Sequence, residues 1–516
     1  MHSFLILNHL ELLEITENHS ETLKLSIKKS GCNMWDMIQQ IFLILTVIST
    51  VVSIITIFRQ PRDIAATWAW LLVLILFPVF GLVLYFFFGR KMTKTRIFDM
   101  RSQKALGMEE LVDVQQAFIT DDRALDQFNG NIYLQDLATL FLQSDESILT
   151  EHNKIKFFYD GKTKFQALKE DLKQAKDHIH MLYYIFRDDS LGEDILSILT
   201  ERAKAGVEVL VLYDAWGSAK TKDKSFDELH KAGGRSIAFF GSKIPLINFH
   251  LNHRNHRKIV VIDGKIGYVG GFNVGNEYLG KGKLGYWRDT HLRIEGNSVL
   301  SLQSRFFIDW NAVASHQDKK DYQKRYFPIA KPIGNSTMQI VTSGPESEKQ
   351  QIKMGLIKMI AMARKYIYIQ TPYFIPDESL LEALRIAIYS GIDVRIMIPC
   401  KPDHPIVYRA TEYYAKLIEE TGATIYIYTH GFLHSKMMVV DGEIATVGTS
   451  NFDVRSFKLN FEVNTFIYDL KVTKELANVF IRDSRYCRIA DHYYFKQQSH
   501  WRKFKQNFSR LFSPIL

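Results

Sequence analysis

Cysteine is scarce in this chain. Only Cys32, Cys400 and Cys487 occur among 516 residues, and no two form a C-x-x-C pair. That excludes a disulfide framework and a zinc ribbon, and it fits a reducing compartment. Formal charge is missing from two runs, Ile38 to Phe58 and Ile64 to Phe88. Each is long enough to cross a hydrocarbon core of about 30 Å as a helix. No small-residue cleavage site follows the first run and the second comes at once, which argues against a signal peptide. The two runs read as a membrane hairpin over residues 34–92, with Pro78 and Gly81 as points where the second helix kinks. Lys24, Lys28 and Lys29 precede it and Arg90, Lys91, Lys94 and Arg96 follow it, against Arg59 and Arg62 in the loop. The positive-inside rule then puts both ends in the cytoplasm. Residues 1–33 read as a poorly ordered extension, with Met34 a natural start.

The net charge of +9 and pI near 9.0 favour anionic partners: a membrane surface, phospholipid headgroups or nucleic acid. The most informative feature is a duplicated H-x-K-x4-D. His256, Lys258 and Asp263 recur as His434, Lys436 and Asp441, and both copies continue as D-G-x-x-x-x-V-G-x-x-N, ending at Asn273 and Asn451. One such triplet is a weak motif; two with matching extensions are not.

The surrounding chain repeats the same cycle. Helical periodicity over 165–176 leads into an apolar run at 178–186, matched by 352–364 and 366–374. Amphipathic helices at 194–205 and 380–390 end at Gly206 and Gly391, suited to helix C-caps, and buried strands follow at 207–213 and 394–399. This indicates α/β units with central, largely parallel strands. The expected architecture is two α/β domains, 141–335 and 336–516, related by a pseudo-twofold axis, with a linker over 93–140. Each H-x-K is read as a strand, which points His and Lys to one face. Asp263 and Asp441 fall at the D-G turn beyond, as supporting members of the catalytic triplets.

Brought to one cleft, the copies supply two imidazoles and two ammonium groups for a phosphodiester without a metal. One histidine attacks phosphorus and the other handles the proton. Lys258, Lys436, Asn273 and Asn451 hold phosphate oxygens. Carboxylates on nearby strands orient the imidazoles, with Glu462 one candidate and Glu277 a weaker one. The spacing of His250, His253 and His256, and of His430 and His434, admits a metal, but paired lysines oppose a cation there. His250 and His253 then sit at the rim, with Arg254 and Arg257 on phosphate or plainly on the surface.

The chain resembles the phospholipase D superfamily and, within it, the bacterial cardiolipin synthases, over nearly all of residues 35–516. Besides the triplets, the resemblance rests on Trp70-Leu71-Leu72 and Phe88-Gly89-Arg90 in the hairpin, on Trp287-Arg288-Asp289-Thr290-His291 with Asp309-Trp310, and on the closing segment 511–516. It implies a multi-pass enzyme of the bacterial cell membrane, without cofactor, that condenses two phosphatidylglycerols to cardiolipin and glycerol. It also implies His256 as nucleophile and His434 as acid/base, which the near-symmetric copies themselves leave open. The departures are Gly271, where Ser or Thr is common, and residues 1–33. Phospholipid hydrolysis, or phosphatidyl transfer to another alcohol, uses the same residues. A nuclease needs no spans, so nucleic acid is not an expected partner. The tail over 496–510 interleaves aromatic and basic residues and reads either as a membrane-surface segment or as a solvated helix.

Overall fold

The computed structural model describes residues 34–58, 64–85, 108–119, 128, 130–241, 252–321 and 323–516. The extension 1–33, the hairpin loop, the end of the second apolar run and His250 lie outside them. The chain forms two compact units, 1–91 and 92–516.

In the first unit Met34–Phe58 is one helix. The second run is not: it breaks into Ile64–Leu76 and Pro78–Leu84. Pro78 has no N–H to continue the ladder, and Phe77 leaves helical geometry ahead of it. Leu71, Leu74 and Tyr85 form a small buried cluster, with Trp70 edge-on to Tyr85 at 5.3 Å. Among the described residues no helix is long and apolar enough to cross a membrane. The 25 residues of Met34–Phe58 rise about 37 Å at about 1.5 Å each.

The second unit holds both halves. Its strands are β1 (Thr150–Asp160), β2 (His178–Tyr183), β3 (Glu208–Asp214), β4 (Arg235–Phe239), β5 (Arg254–Asn255), β6 (Ile259–Ile262), β7 (Ile266–Gly270), β8 (Trp287–Glu295), β9 (Ser336–Ser343), β10 (Tyr366–Gln370), β11 (Phe374–Ile375), β12 (Asp393–Pro399), β13 (Thr424–Tyr428), β14 (Phe432–Leu433), β15 (Met437–Val440), β16 (Ile444–Gly448), β17 (Phe452–Asp453), β18 (Asn460–Ile467) and β19 (Cys487–Ala490). The first half runs β4-β3-β2-β6-β7-β8-β1, and the second runs β13-β12-β10-β15-β16-β18-β9 with β19 on its edge. The repeat is thus also a repeat of topology.

Largely parallel sheets were expected, and each is mixed. The parallel runs are β2, β3, β4 and β10, β12, β13, whose members are joined by helical crossovers such as Ser190–Lys204 and Glu378–Tyr389. After each H-x-K, β6 and β7, and likewise β15 and β16, are joined by a tight turn and so run antiparallel. Gly206 and Gly391 end their helices at φ 88° and 85°, the left-handed geometry a C-cap requires.

The halves meet where β1 pairs with β9. The helix Ile132–Asp145, which straddles the expected end of the linker at 140, packs on the second half, with Phe141 against Phe466 at 4.3 Å and Asp145 accepting from Thr342 N–H at 2.7 Å.

Candidate active site

His256-Arg257-Lys258 joins β5 to β6, and His434-Ser435-Lys436 joins β14 to β15. Neither triplet is itself a strand, contrary to the sequence expectation. Each crosses between sheets and is held by one main-chain bond to the opposite half. His256 N–H donates to the Phe461 carbonyl at 3.0 Å, and His434 N–H to that of Arg288 at 2.7 Å. The short parallel pairings β5 with β18 and β14 with β8 make the same exchange.

This crossing decides which carboxylate serves which imidazole. His256 Nδ1 lies 2.9 and 3.0 Å from the two oxygens of Glu462, in the second half. His434 Nδ1 lies 2.6 Å from Asp289, in the first half. With Nδ1–H donating to a carboxylate, each ring keeps its Nε2 lone pair for chemistry. Both carboxylates are fully buried and both histidines nearly so.

The two dyads differ. Glu462 also accepts from Thr449 Oγ1 at 2.5 Å and Asn460 Nδ2 at 3.2 Å. Burial works to raise its pKa, yet His256 and Lys258 hold it below the usual range. Burial pushes Asp289 up to about 6, against the pull of Lys436. Gly271 is the counterpart of Thr449. A Cβ there would lie 2.0 Å from Asp289 Oδ1, so the glycine makes room for the carboxylate. That accounts for the residue that departs from the family pattern.

Burial also lowers both histidines, His256 to about 4 and His434 well below its usual value, which favours the neutral form of both rings. Lys258 and Lys436 curl back, each donating to the carbonyl of its own histidine at 2.5 Å. Burial pushes Lys436 down to about 8 and Lys258 well below the usual lysine value, and the Lys436 ammonium depresses Lys258 further. Two crowded cations beside two neutral imidazoles form a receptor for an anion such as phosphate.

The remaining expected residues fall elsewhere. Asp263 and Asp441 do not touch the histidines. Asp263 accepts main-chain N–H bonds from Lys176, Asp177 and His178, at 2.8 Å from Asp177. Asp441 accepts from Arg364, Lys365 and Tyr366, at 2.7–2.8 Å. Each sits at positive φ before a glycine also at positive φ, the geometry of a tight hairpin turn. They clamp the loop entering β2 or β10. Asp441→Ala is expected to lower stability by about 2–4 kcal/mol by stranding those donors, read as a drop in the unfolding midpoint with KM unchanged. A KM change without loss of stability would place Asp441 in substrate binding instead.

Asn273 takes Ile185 N–H and gives its amide to the Tyr278 hydroxyl at 2.8 Å. Asn451 donates to Asp453 at 3.0 Å, and its buried Oδ1 has no partner. Both asparagines have their amide donors already engaged. Glu277 orients no imidazole: it faces Arg187 at 3.7 Å. Arg257 is no phosphate ligand either. Fully buried, it binds both Asp309 oxygens at 2.8–2.9 Å and the Glu462 and Ser343 carbonyls. Arg254 lies over the Trp216 ring. His253 Nδ1 is 3.3 Å from the Leu459 carbonyl, and His430 stacks by Tyr286 and Tyr486.

Asp289 is the partner that sequence reasoning left unassigned. It stands in the expected W-R-D-T-H segment but sixteen residues after Asn273, whereas Glu462 stands eleven after Asn451. The extra residues, around the short helix Asn276–Leu279, hide the equivalence. Tyr184, edge-on to His256 at 4.9 Å, was likewise legible only as part of an apolar run.

A solved structure, phosphatidylserine synthase from Haemophilus influenzae, matches this fold with a TM-score of 0.54 over 70% of this chain and 95% of that one, at 16% identity. That likeness is one of fold: two α/β halves in one chain. The family model described as "Cardiolipin synthase, PLD-like domain" matches residues 168–286 and 356–484, once in each half, and that described as "Phospholipase_D-nuclease N-terminal" matches 47–90. Cardiolipin synthase of Listeria innocua is 50% identical over 93% of this chain and all of its own length. The major cardiolipin synthase of Bacillus subtilis is 50% identical over 91% of this chain and 98% of its own, and that of Staphylococcus aureus 45% over 96% and 100%. The chain belongs to the cardiolipin synthase family and is an enzyme of the phospholipase D type.

Proposed function

We propose that this enzyme joins two phosphatidylglycerols into cardiolipin and releases one glycerol, through a phosphatidyl-histidine intermediate. The crossed dyads carry the reading: two neutral imidazoles, each held at Nδ1 by a buried carboxylate, beside two lysines. His256 Nε2 attacks phosphorus while His434 protonates the departing glycerol oxygen, so a P–N bond forms as a P–O bond breaks. A bound phosphodiester anion raises the proton affinity of His434, which burial otherwise lowers. The hydroxyl of the second phosphatidylglycerol then attacks, returns a proton to His434 and frees His256. Lys258 and Lys436 hold the non-bridging oxygens as charge grows.

His256 is assigned as nucleophile because attack leaves that ring positively charged. The firmer anion, Glu462, stands behind it, whereas Asp289 is held closer to neutrality.

The hairpin is proposed to cross a bacterial cell membrane twice, with the catalytic halves, bounded near residue 335, in the cytoplasm. Met34–Phe58 exposes Ile41, Phe42, Leu43, Ile44, Val47 and Ile48 around its circumference, a surface suited to hydrocarbon.

The test incubates purified full-length protein with phosphatidylglycerol labelled in its headgroup glycerol. One labelled glycerol released per cardiolipin formed is the expected result. Phosphatidic acid alone would overturn the reading in favour of hydrolysis.

A further inference from the structure

The C-terminal helix His500–Arg510 is mounted inside out. At about 100° per residue, Trp501, Phe504, Phe508 and the following Leu511 share one face. That face looks outward, with the four side chains 64%, 57%, 49% and 67% exposed. The polar face does the packing. Gln506 and Ser509 are buried, Gln506 donates to Glu412 at 3.2 Å and to Gln498 at 2.8 Å, Arg502 pairs with Glu412, and Arg510 reaches the Tyr413 hydroxyl at 2.6 Å. A helix of a water-soluble domain normally does the reverse.

The exposed rings form a continuous ladder. Trp501 to Phe504 is 5.3 Å between centroids, Phe504 to Phe508 6.3 Å, and Phe508 to Phe512 5.4 Å. The flanking charge has one sign: His500–Arg510 carries Arg502, Lys503, Lys505 and Arg510 and no acid. Lys505 lies over the Trp501 ring at 5.2 Å, beside the ladder and not across it.

The chain end beyond the ladder is tied to Arg455, which follows Asn451 of the second motif by four residues. The Leu516 carbonyl accepts from Arg455 N–H at 2.9 Å, and Arg455 Nη1 donates to the Ile515 carbonyl at 3.0 Å.

We propose that this ladder is a docking surface for an anionic lipid bilayer, which seats the cleft at the membrane plane independently of the N-terminal hairpin. The rings enter the interface, the lysines and arginine meet lipid phosphates, and lipid substrate reaches the histidines without leaving the surface. Charge selects the occupant. A second copy meeting ladder to ladder would bring the same cations together, whereas an anionic bilayer neutralises them.

The test uses the full chain with Cys32, Cys400 and Cys487 changed to Ser and Phe504→Cys carrying a polarity-sensitive fluorophore. It is reconstituted in phosphatidylcholine vesicles with or without 30% phosphatidylglycerol. The expected result is quenching by lipids bearing acyl-chain nitroxides when phosphatidylglycerol is present, and at least threefold less in its absence. In the unlabelled chain, W501S/F504S/F508S is expected to lose about tenfold in vesicle activity while staying within twofold of the parent in detergent-mixed micelles. Absence of quenching in anionic vesicles, or equal loss in micelles and vesicles, overturns the proposal. So does fluorophore burial in lipid-free detergent that depends on protein concentration, which would mark a contact between copies. If the parent made no cardiolipin at all, the proposed reaction would fail while the quenching result still judged the docking surface.

Discussion

His256→Ala and His434→Ala are each expected to lose at least about 10⁴-fold in kcat, and the double variant to lose little more than either alone. The losses do not add because the two rings act on one reaction coordinate. Without the nucleophile there is no P–N bond for the acid to assist, and without the acid the glycerol alkoxide has no proton to leave with. The roles separate on the covalent intermediate. With substrate labelled at phosphorus and quenched in alkali, where an N-phosphoryl histidine survives, label is expected on the peptide containing His256. Label on the peptide containing His434 would reverse the assignment, and a tenth of parental activity in either alanine variant would refute the paired-histidine mechanism.

Glu462→Gln and Asp289→Asn are each expected to lower kcat on the order of 10³-fold while leaving the fold intact. An amide is a neutral partner for Nδ1–H and can hold the wrong tautomer. The two are distinguishable by pH. Asp289, pushed up to about 6, takes a proton as pH falls through that value and then ceases to serve His434 as an anion. Parental kcat/KM is therefore expected to fall below about pH 6, and in Asp289→Asn that limb should vanish. It should persist in Glu462→Gln, because Glu462 is held below the ordinary carboxylate range. On the alkaline side, Lys436, pushed down to about 8, loses its charge as pH rises, and Lys436→Arg should carry that limb upward. An acid limb retained in Asp289→Asn would mean that another group controls it.

The crossed arrangement has a consequence for how the halves can be treated. His256 is served by a carboxylate 206 residues away and His434 by one 145 residues away in the opposite direction. Neither half owns a complete dyad, so neither is half an enzyme in the sense of half the activity. The packing around the site agrees. Arg257 of one half donates to the Glu462 carbonyl and Ser343 carbonyl of the other, and Thr290 Oγ1 meets Ser435 Oγ at 2.8 Å.

By itself the sequence determined the repeat, the two histidine–lysine pairs, the order of helices and strands in each half, and the tight turns at Asp263-Gly264 and Asp441-Gly442. All of these are local: they follow from periodicity, spacing and the few residues that tolerate positive φ. Tertiary structure decided what depends on neighbours distant in the chain. It set Asp289 behind His434 and Glu462 behind His256, because strand pairing crosses between the halves. It drew Arg257 away from phosphate to Asp309, since a buried guanidinium must find a buried carboxylate. It turned the aromatic face of the last helix outward, because Glu412 holds the opposite face, and no helical wheel specifies which side a protein will cover.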